Sequence, residues 1–216
     1  MPKRVDHAER RKLIADALMR VAAEHGLEAV SLRHVATEAG VSAGMVQHYF
    51  RTKDEMMTFA LAVVREHGEA RVSRAVTALG DHPAPRTLLR TMLVELLPLD
   101  EARRADGRVA LAFLAYTAVR PAVAAALHQE TAALLAFLAG QIRAAQTTRP
   151  ADRRVDPDRA AVGLLAVLEG LGIYLLGGHY PAETALAALD AHLDLVCGPA
   201  EPVDRPPVKR RRAPAG

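Results

Sequence analysis

The stretch "SLRHVATEAGVSAGMVQHYF", residues 31–50, holds two short segments with helix-capping signals, joined by a tight turn. Ser31 stands before the first segment and Ser42 before the second, where a side-chain oxygen can cap a helix N-terminus. Gly40 follows the first segment, at the position where glycine commonly ends a helix. Two short helices joined by such a turn are typical of a helix-turn-helix motif.

The apolar residues of this stretch have the spacing of two packed helix faces. The side chains expected to meet in the interior are Val41, Val46 and Phe50 on one side and Leu32, Val35 and Ala36 on the other. Apolar residues at helical spacing over residues 13–22 predict a preceding helix that ends at Gly26 and supplies a supporting face. The motif is therefore predicted to be a small three-helix unit.

The residues left outward are candidates for contact with the major groove of DNA. The nine candidates are Arg33, Thr37, Ser42, Ala43, Gly44, Gln47, His48, Tyr49 and Lys53. Gln47 can form a bidentate pair with adenine, Arg33 can reach a guanine edge or a phosphate, and Lys53 is suited to phosphate. Gly44 lets the helix backbone approach a phosphate closely. Tyr49 has an equally strong alternative, since its ring can simply cover the first helix.

The rest of the chain reads as helical, which predicts an all-α fold. Thr52 and Glu55 have capping-box spacing and predict a long fourth helix, and helical periodicity between Pro and Gly breaks continues to residue 197. The predicted domains are 1–52, a helix-turn-helix DNA-binding domain, 53–197, a helical effector-binding and dimerisation domain, and 198–216, a disordered basic tail. The KRRR sequence of that tail is interpreted as solvated, with nonspecific DNA contact as the lesser alternative.

The charged residues are unevenly distributed along the chain. Basic residues exceed acidic ones only at the two ends, by nine to six over residues 1–53 and by five to two over 198–216.

A lone Cys197 and charged first residues favour a cytoplasmic protein, and we expect no apolar run that approaches the length of a membrane span. No spacing of His, Cys, Ser or carboxylates indicates a metal site, a cofactor or a catalytic centre.

Two stretches carry a family resemblance. SLRHVATEAGVSAGMVQHYFRTKDEMM resembles the DNA-binding signature of the TetR family of bacterial transcriptional regulators, over about residues 8–60. LPLDEARRADGRVALAFLA resembles the BetI-like subgroup of that family. Many members carry Tyr at the position of Gln47, so their phosphate or thymine contact does not transfer and the operator sequence is left open.

The resemblance implies a repressor that binds a pseudo-palindromic operator as a homodimer and is released by a small molecule. The wide apolar faces of the last two helices predict the dimer interface, with burial within one chain as the alternative. An effector that is largely apolar, with or without a positive charge, is expected in the larger domain. The candidate effector-binding residues are Met57, Leu61, Met92, Phe113, Tyr116, Thr117 and Glu169.

Two other functions compete with this hypothesis. An all-helical small-molecule-binding protein or enzyme could have inherited the DNA-binding module, and it would keep its activity after deletion of residues 1–53. A nonspecific architectural DNA-binding protein is disfavoured because the long C-terminal region is not basic. We therefore expect a regulator without enzymatic activity.

Overall fold

The fold is a bundle of helices without strands in the part of the chain that the structure describes. The computed structural model describes residues 7–26, 29–147, 149–150 and 154–199. The helices are α1 (His7–His25), α2 (Leu32–Ala39), α3 (Ala43–Tyr49), α4 (Lys53–Thr77), α5 (Pro85–Leu96), α6 (Glu101–Ala118), α7 (Pro121–Ala145), α8 (Pro157–Leu176) and α9 (Ala182–Cys197). The predicted all-α fold class is confirmed.

The N-terminal helices begin where the capping signals predict. Ser31, Ser42 and Thr52 each accept a hydrogen bond from the backbone N–H three residues further on, at 3.2, 3.2 and 3.1 Å. Glu55 departs slightly from a capping box, because its carboxylate accepts from the backbone N–H of Arg51 at 2.6 Å. These local bonds fix the starts of α2, α3 and α4.

A first hydrophobic core joins the helix-turn-helix to α6. Val35 of α2, Val46 of α3 and Met57 of α4 are fully buried in it. Phe113 and Tyr116 of α6 belong to the same core, with 2% and 8% of their surface exposed. This core therefore continues across the predicted domain boundary between residues 52 and 53, and that boundary stays a prediction.

A second hydrophobic core is built from α5, α7, α8 and α9. Leu89, Ile142, Leu164 and Leu189 are fully buried at its centre, one from each helix. At its edge, Arg90 Nε and Nη2 on α5 donate to the two carboxylate oxygens of Asp190 on α9, at 2.6 and 3.0 Å. The last helix of the described chain is thereby attached to α5.

The expectation that no apolar run approaches the length of a membrane span is wrong for two helices. Val123–Ala145 in α7 and Pro157–Leu176 in α8 are long and apolar enough to cross a bilayer by length and composition. Core helices of soluble proteins pass the same test, and α8 buries Leu164, Leu168 and Leu171 in the second core. These helices are therefore only weak evidence for a chain that crosses a membrane.

The C-terminal region ends in a buried thiol. Burial raises the pKa of the Cys197 thiol to about 11, so the side chain stays protonated and a weak nucleophile at neutral pH. Beyond it, Gly198 and Pro199 are the last described residues. The predicted tail, with its KRRR sequence, otherwise lies outside the described residues.

Candidate nucleic-acid interface and effector region

The turn between α2 and α3 depends on one glycine. Gly40 has φ 64° and ψ 32°, a left-handed conformation that L side chains rarely adopt. Its backbone N–H bonds to the carbonyl of Thr37 at 3.2 Å, and the N–H of Val41 bonds to that of Ala36 at 3.0 Å. These bonds satisfy carbonyls at the end of α2 and direct the chain into α3.

The underside of α3 is buried as the sequence predicts. Val46 and Phe50 are 0% and 1% exposed, and they share the first core with Val35 and Ala36 of α2. Val41 is half-buried and packs against the same core, as does Leu32. Since one side of α3 is fixed in this way, its other side faces outward.

Seven of the nine predicted DNA-contacting residues lie exposed on α2, on α3 or just before it. They are Arg33, Thr37, Ser42, Ala43, Gly44, Gln47 and His48. The Thr37 hydroxyl donates to the backbone carbonyl of Arg33 at 3.0 Å, so only its acceptor capacity is left for a ligand. The exposed side of α3 is thus short, polar and free of large apolar groups.

The other two predicted residues are half-buried. Tyr49 packs against the first core, and the edge of its ring lies against His48 with 5.3 Å between ring centroids. Lys53 is the first residue of α4. The packing of Tyr49 favours the alternative in which its ring covers the hydrophobic core. A DNA contact by either residue stays a prediction.

Basic residues of α1 support the motif in a way that the sequence did not indicate. Arg20 donates to the Glu38 carboxylate on α2 at 2.6 Å, and this bond lowers the pKa of Glu38. The guanidinium of Arg11 lies 4.6 Å from the ring centroid of Phe59 and 5.7 Å from that of Phe50. The sequence shows that α1 carries these arginines. It does not show which residues they contact, because those contacts depend on how α1 packs against the other helices.

The predicted effector-binding residues do not come together at one cavity. Met57, Phe113 and Tyr116 are packed inside the first core, and Leu61 packs against it. Thr117 is buried, with its hydroxyl donating to the carbonyl of Leu114 at 2.9 Å. The rings of Phe113 and Tyr116 lie close together, with 6.4 Å between their centroids. The effector role of these residues stays a prediction.

Met92 and Glu169 lie elsewhere. Met92 is half-buried on α5, and Glu169 is exposed on α8. Glu169 lines a cavity of about 220 Å³ whose walls come from the end of α5, from α6 and from α8, and include Leu111, Leu168 and Ile173. It is the sole carboxylate in a lining that is otherwise apolar.

A wider cleft of about 640 Å³ lies between α1, α4 and α6. At one side of it, the nearly buried carboxylate of Asp106 accepts a hydrogen bond from Arg71 Nη1 at 2.8 Å and lies 3.0 Å from His67 Nδ1. Sequence reasoning missed this cluster, because α4 and α6 meet only in the folded chain. Within the described ranges, no group of three or more His, Cys, Asp or Glu side chains could hold a metal ion.

Comparison with protein families gives two matches. Residues 14–58 match the family described as bacterial regulatory proteins, tetR family. Residues 85–198 match the BetI-type transcriptional repressor C-terminal domain. Together they cover the helix-turn-helix and the helices from α5 to α9.

Individual relatives agree with these matches. The HTH-type transcriptional regulator PksA of Bacillus subtilis is 33% identical over 177 residues, 82% of this chain and 83% of PksA. A solved transcriptional regulator from Rhodococcus sp. Rha1 has a TM-score of 0.74 and 35% identity, with 86% of this chain and 94% of that chain covered. The multidrug binding protein EbrR, solved with ethidium, has a TM-score of 0.61 and 30% identity, with 86% and 99% covered.

The exposed side of α3 and these matches define a helix-turn-helix transcriptional regulator. The chain belongs to the TetR family, and its residues 85–198 are of the BetI type. The resemblance found in residues 31–57 is thereby confirmed.

Proposed function

We propose that this regulator is a repressor that binds a pseudo-palindromic operator as a homodimer and leaves it when a small molecule binds the larger domain. The observation that carries the proposal is α3 itself. Its apolar side is locked by Val46 and Phe50, and its outward side offers Gly44, Gln47 and His48. A helix held in this way can enter the major groove without rearranging its own core.

The homodimer is proposed to form through α8 and α9. Val162 and Tyr174 of α8 and Leu195 of α9 are 55%, 52% and 63% exposed, and exposed apolar side chains that form a patch are typical of a protein–protein interface. Two copies packed through these helices form a four-helix interface. The symmetry suits an operator whose half-sites repeat about 34 Å apart along the duplex.

The effector is proposed to be a lipophilic cation that binds beside Glu169. The cavity at Glu169 combines apolar walls from Leu111, Leu168 and Ile173 with that one carboxylate, a combination that suits an apolar body with a positive charge. EbrR, a relative by structure and sequence, was solved with ethidium, which is a compound of this kind. A repressor of this type acts in the cytoplasm, where its operator and effector meet.

The proposal is tested by selecting fragments of genomic DNA with the purified protein and measuring their affinity. We expect a selected fragment to bind at least a hundredfold more tightly than a random duplex, with an affinity that falls as salt rises. A random duplex that bound as tightly as every selected fragment would contradict the proposal. Genes beside the selected fragments then indicate which class of effector to test.

A further inference from the structure

The last turn of α6 is bonded to the first turn of α4. The hydroxyl of Tyr116 donates to Oδ1 of Asp54. Asp54 is the second residue of α4 and is exposed, whereas Tyr116 is 8% exposed inside the first core. A buried side chain of the larger domain thus reaches out to the residue that follows Lys53.

The Tyr116 ring has little freedom to move. It shares the first core with Met57 of α4 and lies near Phe113, while the guanidinium of Arg120 lies 3.8 Å from its centroid. Burial, and then the bond to Asp54, raise the pKa of the Tyr116 hydroxyl. The phenol therefore stays protonated at neutral pH and remains a donor, with its position set by the ring.

The first turn of α4 is closely connected to α3. Only Phe50, Arg51 and Thr52 separate the two helices, and Phe50 is fixed in the first core. Thr52 caps α4 through Glu55, whose carboxylate also accepts from the N–H of Arg51. A shift of the first turn of α4 would therefore move Lys53 and the C-terminal end of α3 together.

We propose that Tyr116 is a positioning residue for operator binding, whose hydrogen bond to Asp54 holds the start of α4, and with it Lys53 and α3, in the DNA-binding arrangement. The inference rests on the proposed function. In this proposal, α6 also connects the cavity at Glu169 to the DNA-binding region. Leu111 and Leu114 line that cavity and lie within two turns before Tyr116. A displacement of α6 at the cavity would therefore move Tyr116 and change its hydrogen bond to Asp54.

The test is a double-mutant cycle on operator affinity, with Tyr116→Phe, Asp54→Ala and the double variant. Each single change is expected to weaken operator binding about tenfold, since a hydrogen bond to a charged group is lost. The double variant is expected to bind no more weakly than the weaker single variant, because both remove the same bond. Asp54 is exposed, so Asp54→Ala leaves the first core intact even if Tyr116→Phe lowers stability.

Tyr180→Phe is the matched control. Its hydroxyl lies 3.5 Å from the carbonyl of Leu171 at the second core, and its loss is expected to leave operator affinity unchanged. The slope of affinity against salt should stay the same in Tyr116→Phe, because no phosphate contact is removed. A Tyr116→Phe protein that bound the operator as tightly as the wild type, or fully additive single effects, would overturn the inference. If the wild-type protein itself bound no operator selectively, that result would instead overturn the proposed function.

Discussion

The side-chain oxygen of Ser42 accepts a hydrogen bond from the backbone N–H of Met45 at 3.2 Å, and this bond begins α3. Ser42 thus has a structural task besides its predicted contact with DNA. Substitutions that keep or remove the cap can separate the two.

Ser42→Ala is expected to lower the free energy of unfolding by about 1 kcal/mol, because the N-cap is lost. Ser42→Asp keeps the cap and should unfold at nearly the urea concentration of the wild type. It should nonetheless weaken operator binding more than Ser42→Ala, since a carboxylate at the start of α3 repels phosphate. If Ser42→Asp bound the operator as the wild type does, the start of α3 would not lie near the DNA backbone.

The positions of α2 and α3 could be predicted because their signals are local. Ser31, Gly40 and Ser42 each act on bonds within four residues, and such bonds form in the same way in most proteins. The buried side of α3 followed from the spacing of Val46 and Phe50. Both predictions needed only the order of residues along the chain.

The effector region could not be predicted in the same way. Helical spacing indicates that Phe113 and Tyr116 share a face, but it cannot indicate which helix that face meets. In the folded chain α6 docks on α1 and α4, and this face enters the core of the helix-turn-helix. A carboxylate such as Glu169 inside an apolar run is costly to bury, and in the folded chain Glu169 lies at the surface, at the wall of a cavity.

Gly44 gives a prediction in which stability and function change in opposite directions. A Cβ added there would meet only the Ser42 oxygen, at 4.0 Å, so the fold has room for alanine. Gly44→Ala should raise the free energy of unfolding by about 0.5 to 1 kcal/mol, because glycine is unfavourable in a helix. Operator affinity should fall at least tenfold if the backbone approaches phosphate at this position.

Gly140→Ala in α7 is the control, since no atom of the described residues lies within 4 Å of its added Cβ. It should bring a similar gain in stability, measured by urea unfolding, and no change in operator affinity. Unchanged operator binding by Gly44→Ala would show that the DNA backbone stays away from this part of α3.

Gln47 and Lys53 are predicted to act on DNA in different ways. Gln47→Ala should relax the choice of base at one operator position, whereas Lys53→Ala should weaken all sequences about equally and reduce the salt slope by about 1. Affinities for a set of single-base operator variants, measured at several salt concentrations, separate the two effects. The same uniform loss in both variants would contradict this division of roles.

Leu195 tests the proposed dimer interface. A glutamate at this exposed position of α9 would place an unpaired charge inside the interface, so Leu195→Glu should raise the dimer dissociation constant at least a hundredfold. Sedimentation at several concentrations measures this directly. Val119→Glu, at a 74% exposed position after α6, should remain dimeric. An unchanged sedimentation profile for Leu195→Glu would exclude this part of α9 from the interface.

Glu169 tests the class of effector. Glu169→Gln keeps the shape of the side chain and removes its charge, so the affinity for ethidium should fall about fivefold, a modest loss because the carboxylate is exposed. Fluorescence titration measures the affinity, and the concentration of ethidium that releases operator should rise by the same factor. Glu183→Gln, an exposed position at the start of α9, is the control and should not change either value. Equal ethidium affinities for Glu169→Gln and the wild type would remove Glu169 from the effector site, while leaving operator binding by α3 as proposed.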